Sequence, residues 1–231
     1  MPTIKVNDIN MYYELHGVGE PIVLIAGLGI DHTIFKLIID QLLQKFKVLV
    51  FDNRGSGLTD KPDIPYSIEM MADDTAALMS GVGIEKAHII GISMGGRITI
   101  ALLLQHPDKV KSLVLASTVA IGKRRSSFHL PRLIKLVRSS LSKSQQPYYA
   151  FIRQLEASRA YDCSSRLYEI NVPTLILHGK KDKHASYKLA EEMHAGIKSS
   201  KIIAFKGGHL FFMWENKHFT DAISEFLGSI D

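Results

Sequence analysis

The chain has 231 residues, 46% of them hydrophobic and 22% charged, with a formal net charge of +5; this composition fits one domain with a sizeable core and excludes disordered and fibrous classes. No apolar run approaches the roughly 18 uncharged residues of a membrane span, and Met1-Pro2-Thr3-Ile4-Lys5 is neither a basic nor an apolar leader segment. The single cysteine, Cys163, forms no internal disulfide, and no CxxC or CxxH cluster offers a zinc framework, so a non-exported protein of the reducing cytoplasm is expected.

Two short alternating stretches, Thr3 to Val6 and Ile9 to Leu15, flank the turn-prone pair Asn7-Asp8 and predict an antiparallel hairpin at a sheet edge. Continuous apolar runs of strand length follow at Ile22 to Ala26, Val48 to Phe51, Ala87 to Ile92, Ser112 to Ala116, Thr174 to His178 and Ile202 to Phe205. Runs without polar alternation suit parallel strands buried on both faces. Between them, helix-period segments span Phe35 to Lys45, Ile68 to Ser80, Gly95 to Gln105, Tyr187 to Ala195 and Phe211 to Leu227. The alternation predicts an α/β fold around a mostly parallel sheet with helices on both faces.

From Val119 to Tyr168 the rhythm breaks and no buried strand is predicted. In Leu130 to Leu141, Leu130, Leu133, Ile134, Val137 and Leu141 share one helical face. The division expected is a core at 1–118 and 169–231, with a short helical cap inserted at 119–168.

Gly91-Ile92-Ser93-Met94-Gly95 matches G-x-S-x-G, a pattern that arises by chance in a chain this long with probability of about 0.08. Its placement is more informative: a predicted strand runs into it and a predicted helix runs out. In that context the turn holds a serine strained and exposed above the sheet, with small residues for clearance and a helix N-terminus aimed at the site. A glycine-rich turn with an N-capping serine is the alternative. A serine hydroxyl is a poor nucleophile at neutral pH, so it needs a base, and the base needs a partner to fix its tautomer.

Among ten histidines, His209 follows Gly207-Gly208 directly after the last predicted strand and precedes the last helix. His88 lies within a strand, whereas His106, His194 and His218 lie in or at the ends of helices; His178 and His184 would compete with the acid for its loop. The acid expected is Asp182, just after the strand Thr174 to His178. The position after Ser112 to Ala116 carries Ser117 and supplies no acid, and Asp162 belongs to the insertion. After Ile22 to Ala26, Gly27-Leu28-Gly29 forms a turn that can present the Leu28 N–H opposite that of Met94, two donors suited to an oxyanion. Leu28, Ser93, Asp182 and His209 thus each follow the carboxyl end of a different predicted strand, where open parallel sheets bind ligands.

With these residues in place the chain resembles the α/β-hydrolase superfamily, especially its small carboxylesterases and the 3-oxoadipate enol-lactone hydrolases. Phe51-Asp52-Asn53-Arg54-Gly55-Ser56-Gly57 resembles the D-x-R-G-x-G turn of that superfamily, which is structural support there, and Met71-Ala72-Asp73-Asp74 and Gly208-His209 with Glu215 extend the likeness. Ala26-Gly27 stands where many relatives have His-Gly, and the cap is shorter than is usual. The resemblance implies a serine hydrolase for a small-molecule ester or lactone, with Ser93, Asp182 and His209 catalytic, Leu28 and Met94 at the oxyanion, and no metal or organic cofactor. Ser93 to Arg97 also resembles the menaquinone-pathway lyase of the same fold. Carbon-carbon bond hydrolysis on the same triad, or a ligand receptor without turnover, are the other readings.

The charge is unevenly spread. Residues 119–168 carry ten basic residues, Lys123, Arg124, Arg125, Arg132, Lys135, Arg138, Lys143, Arg153, Arg159 and Arg166, against Glu156 and Asp162, a net +8 that leaves −3 on the remainder. Such a field attracts anionic substrates, although Arg132, Lys135 and Arg138 also suit a solvated helix face. No aromatic-basic interleaving accompanies the charge, so nucleic acid is not an expected partner. The sequence gives no oligomeric state.

Overall fold

The apolar runs become a single eight-stranded sheet in the computed structural model, which describes residues 2–121 and 146–230. Its strands are β1 (Thr3–Val6), β2 (Ile9–His16), β3 (Glu20–Ile25), β4 (Phe46–Phe51), β5 (Ala87–Ile92), β6 (Val110–Ala116), β7 (Thr174–Gly179) and β8 (Ser200–Phe205), in the order β1-β2-β4-β3-β5-β6-β7-β8. The β1–β2 and β2–β4 pairs are antiparallel and the rest parallel. Asn7, at φ 48°, turns the β1–β2 hairpin, as expected of an asparagine in the left-handed region. Strand order reverses direction at β3, whose neighbours are β4 on one side and β5 on the other. That reversal opens a crevice at the carboxyl ends of β3 and β5.

The helices are α1 (Lys36–Leu42), α2 (Ile68–Gly81), α3 (Met94–Gln105), α4 (Tyr148–Ala160), α5 (Tyr187–Gly196), α6 (Phe211–Trp214) and α7 (Asn216–Gly228). Side chains alternate across each strand, and the two faces build separate cores. Val23, Ile25, Leu49 and Ile89 pack with Met71, Ile98 and Met193 from α2, α3 and α5. Ile22, Leu24, Val48 and Ile90 pack with Ile38 and Leu42 of α1 and with Phe219 and Ile223 of α7. Each fully buried side chain of this size contributes about 1.5–3 kcal/mol, and this explains why uninterrupted apolar runs were needed. The start of α2 is fixed by Ser67, whose hydroxyl accepts from the Met70 N–H at 3.0 Å.

Most boundaries shift by one or two residues, and three helices depart from the sequence expectation in where they start or whether they run unbroken. The helix expected over Phe35 to Lys45 is a 3-10 turn at His32–Phe35 followed by a short α1, because Asp31 caps from upstream by accepting the Thr33 N–H. The helix expected over Phe211 to Leu227 is two helices broken at Glu215, which sits at φ −109°, ψ 34° while its carboxylate accepts the Gly207 N–H. Met94, not Gly95, opens α3. The helix expected at Leu130 to Leu141 lies outside the described residues.

The chain between β6 and β7 carries α4 and is tied to the sheet layer by Arg97 of α3. That guanidinium donates to the carbonyls of Val119 and Ile121, each at 3.2 Å, to the Ser158 hydroxyl at 2.7 Å and to the Ser158 carbonyl. Burial lowers the Arg97 pKa, while three carbonyl oxygens and a hydroxyl accept from the guanidinium. No helix among the described residues is long and apolar enough to cross a membrane.

Candidate active site

The turn between β5 and α3 puts Ser93 at φ 57°, ψ −114°, a conformation that costs a residue with a Cβ of order 1–3 kcal/mol. Close packing around it explains the flanking glycines. A Cβ on Gly91 would lie 2.3 Å from Thr99 Oγ1, and one on Gly95 would lie 2.1 Å from the Ile25 carbonyl oxygen. The Ser93 N–H donates to the Ala116 carbonyl at 2.9 Å, and the Ser93 carbonyl accepts from the Gly96 N–H at 3.0 Å. The strained serine is thereby held from both sides.

The Ser93 hydroxyl donates to His209 Nε2 at 2.9 Å, and His209 Nδ1–H donates to Asp182 Oδ2 at 2.7 Å. The structure therefore brings these three expected residues into one relay, although they come from three separate loops. Asp182 is buried; its Oδ1 accepts the N–H groups of His184 and Ala185 at 2.8 and 2.9 Å. Burial alone would raise its pKa. The nearby imidazoles of His178 and His209 and the Ala185 N–H outweigh it and hold the carboxyl well below the usual range. His178, expected to compete for this loop, instead lies beneath it: its Nε2–H donates to the Ala185 carbonyl at 2.8 Å, 3.4 Å from Asp182 Oδ2.

Gly27 of the glycine turn lies against the serine, since a Cβ on it would sit 3.3 Å from Ser93 Cβ. In this turn the Ile30 N–H donates to the Gly27 carbonyl and the Gly29 N–H donates to Gln154 Oε1. The N–H of Leu28, between them, is the candidate to face the site. Met94 is the first residue of α3, so its N–H has no acceptor within the helix. The Leu28 side chain packs on Phe151 and Leu155 of α4.

The Asp52 to Gly57 turn braces this arrangement, as its resemblance implied. Asp52 Oδ1 accepts the His32 backbone N–H at 2.7 Å and its Nδ1–H at 2.8 Å, Asn53 Nδ2 donates to the Ala26 carbonyl at 3.0 Å, and Arg54 pairs with Asp74 at 2.8 Å and with Asp8 at 2.6 Å. Burial alone would lower the His32 pKa, but Asp52 and then Glu14 raise it above the ordinary histidine value.

Two supports of the site carry no motif in the sequence. Ser117, at φ 49°, donates its hydroxyl to the His209 carbonyl at 2.7 Å and its N–H to the Leu177 carbonyl at 3.0 Å. Gln154 is fully buried and meets the glycine turn. The signal for the first was its place at the end of a strand; for the second it was a glutamine one helical turn from Phe151 in an apolar stripe. Of the ten basic residues at 119–168, only Arg153, Arg159 and Arg166 fall among the described residues; Arg153 pairs with Asp63 and Arg166 with Glu169.

Known proteins agree with this architecture. Over its whole length the chain is 28% identical to the whole of an Azorhizobium caulinodans protein that carries the provisional name carbamate hydrolase RutD. It is 30% identical to the AB hydrolase superfamily protein YisY of Bacillus subtilis, over 96% of each chain. The enol-lactonase of Burkholderia xenovorans superposes with a TM-score of 0.88 at 24% identity, covering 99% of this chain and 100% of that one, and shares the fold. Residues 20–160 match the family model of the alpha/beta hydrolase fold, so the chain belongs to that family, as a hydrolase.

Proposed function

We propose that this protein hydrolyses carboxylic esters or lactones of small molecules through an acyl-enzyme on Ser93. The observation that carries this reading is the hydrogen-bonded run from Asp182 through His209 to Ser93, with spacings of 2.7 and 2.9 Å, ending on a strained serine at a helix N-terminus. In the proposed reaction Ser93 Oγ attacks the acyl carbon as His209 Nε2 takes the hydroxyl proton. Asp182 fixes the imidazole tautomer and stabilises the imidazolium. The Leu28 and Met94 N–H groups hold the oxyanion. Collapse breaks the ester bond, and the leaving oxygen takes the proton from His209. Water then gives its proton to His209 as it attacks the acyl carbon, and the second collapse releases the carboxylic acid and returns the proton to Ser93.

Within this reading residues 1–118 and 169–231 form the catalytic core and 119–168 the cap over it. The cap's excess positive charge favours an anionic ester or lactone. Similarity to a protein named for carbamate hydrolysis supports a second reading, carbamate cleavage, in which the same attack falls on a carbamoyl carbon. The lyase reading gains nothing from Arg97, whose donors are directed at carbonyls of the insertion.

The test is incubation with short-chain p-nitrophenyl esters, followed by a phosphonate probe and intact mass. Turnover with one phosphonate per chain, mapped to Ser93, is the expected result; neither turnover nor adduct would shift the reading to a receptor. Raising salt should lower kcat/KM for a carboxylated ester and leave a neutral one unchanged, and equal responses would remove the anionic preference.

A further inference from the structure

We propose that Gln154 is a positioning residue that ties the cap helix α4 to the oxyanion turn and sets the aim of the Leu28 N–H. The inference depends on Leu28 being an oxyanion donor, as argued above. Gln154 is fully buried. Its Oε1 accepts the Gly29 N–H at 3.0 Å and a Gln146 Nε2–H at 3.1 Å, and its Nε2 donates to the Arg54 carbonyl at 2.6 Å and to Ser56 Oγ at 2.9 Å. The partners allow only one orientation of the amide: a carbonyl cannot donate to Oε1, and an N–H cannot accept from Nε2. Gln146 continues the bridge by donating to the Gly55 carbonyl at 2.8 Å.

One side chain therefore joins the glycine turn after β3 to the Arg54–Ser56 segment after β4, and it reaches both from the insertion. Gly29 is at φ 68°, so the direction of the preceding peptide, which carries the Leu28 carbonyl and the Gly29 N–H, is set by what holds that N–H. The Leu28 N–H is one peptide earlier, and the packing of its side chain on Phe151 and Leu155 adds an apolar contact from the same helix. A buried polar group is retained only where its partners are met, and here the partners of Gln154 other than Gln146 belong to the glycine turn beside the serine and to the Arg54–Ser56 segment. Displacement of about 1 Å in such a group can cost about 10²-fold in rate, within the 10²- to 10³-fold attached to losing an oxyanion donor outright.

The experiment compares wild type with Gln154→Met and Gln154→Glu. Methionine fills the volume without either polar end. Glutamate keeps an oxygen for Gly29 but sets a second against the Arg54 carbonyl unless it is protonated. Active sites are counted by phosphonate uptake, ester kinetics are expressed per site, and backbone amide exchange is followed in the peptide holding Gly29. Gln154→Met should lose about 10- to 100-fold in kcat with KM changed less than about threefold, and Gly29 should exchange faster. The activity of Gln154→Glu relative to wild type should rise as pH falls, because the protonated carboxyl restores the donor to Arg54. A purely structural role would lower the number of titrated sites without changing kcat per site or producing this pH signature, and that result overturns the inference. If wild type itself turned over no ester, the hydrolase reading would fail. The amide exchange would still decide the clamp: unchanged exchange in Gln154→Met overturns it and faster exchange supports it.

Discussion

Ser93→Ala is expected to lower ester turnover by about 10⁴- to 10⁶-fold, the range for removing a serine nucleophile from an intact relay, and to abolish the phosphonate adduct. Thermal stability should move little. Alanine keeps the Cβ and so remains at φ 57°, ψ −114° with the same strain, losing only the hydrogen bond to His209 at 2.9 Å. Ser93→Gly separates strain from chemistry. Glycine adopts this conformation without steric cost, so it should be equally inactive yet more stable by about 1 kcal/mol after its larger unfolded-state entropy is subtracted. In a chain of this size that corresponds to a rise of about 2–4 °C in Tm. Calorimetry on the three proteins checks it; a glycine variant melting below the alanine variant would mean that the strain released is smaller than that entropy cost.

That strain is tolerated because the surrounding sheet is heavily buried, and the sheet is also what the sequence made most legible. Runs such as Ile22 to Ala26 and Leu175 to Leu177 are apolar at every position because both faces are covered, so their strand character needed no knowledge of partners. The sites at their carboxyl ends were legible for the same reason: a glycine-flanked serine, a histidine after two glycines and an aspartate after a strand can be placed once the strands are placed. Features set by contacts distant in sequence were not legible. Phe211, Phe212, Phe219, Ile223 and Phe226 keep an apolar period across Glu215, and only its acceptance of the Gly207 N–H, with the local backbone angles, marks the break. Ser117 meets a carbonyl 92 residues away, and Gln154 an N–H 125 residues away. Neither residue type announces such a partner. Ser117 offers no carboxylate at its strand end, but its hydroxyl holds the backbone of the histidine loop.

Asp182→Asn is expected to lower turnover by about 10⁴-fold while leaving the loop folded, and the reason lies in the two sides of the carboxylate. Oδ1 accepts the His184 and Ala185 N–H groups, so an asparagine must keep its carbonyl oxygen there. Its Nδ2 then faces His209 Nδ1, where Asp182 Oδ2 now accepts. Two N–H groups cannot point at each other, so His209 must accept at Nδ1 and carry its proton on Nε2. In that tautomer the imidazole donates to Ser93 Oγ and cannot take its proton. Nitrogen NMR of the His209 ring checks the switch directly, and full activity with Nδ1 still protonated would overturn the argument. The same carboxylate predicts a pH dependence of stability. Its folded pKa is depressed below the unfolded value of about 3.9, so the stabilisation is present above about pH 4 and is lost as pH falls through the folded value. The Tm advantage of wild type over Asp182→Asn should therefore be constant with respect to this group near neutrality and shrink below about pH 4. An advantage that grew on acidification would mean that the unfolded chain, not the folded one, holds Asp182 more strongly ionised.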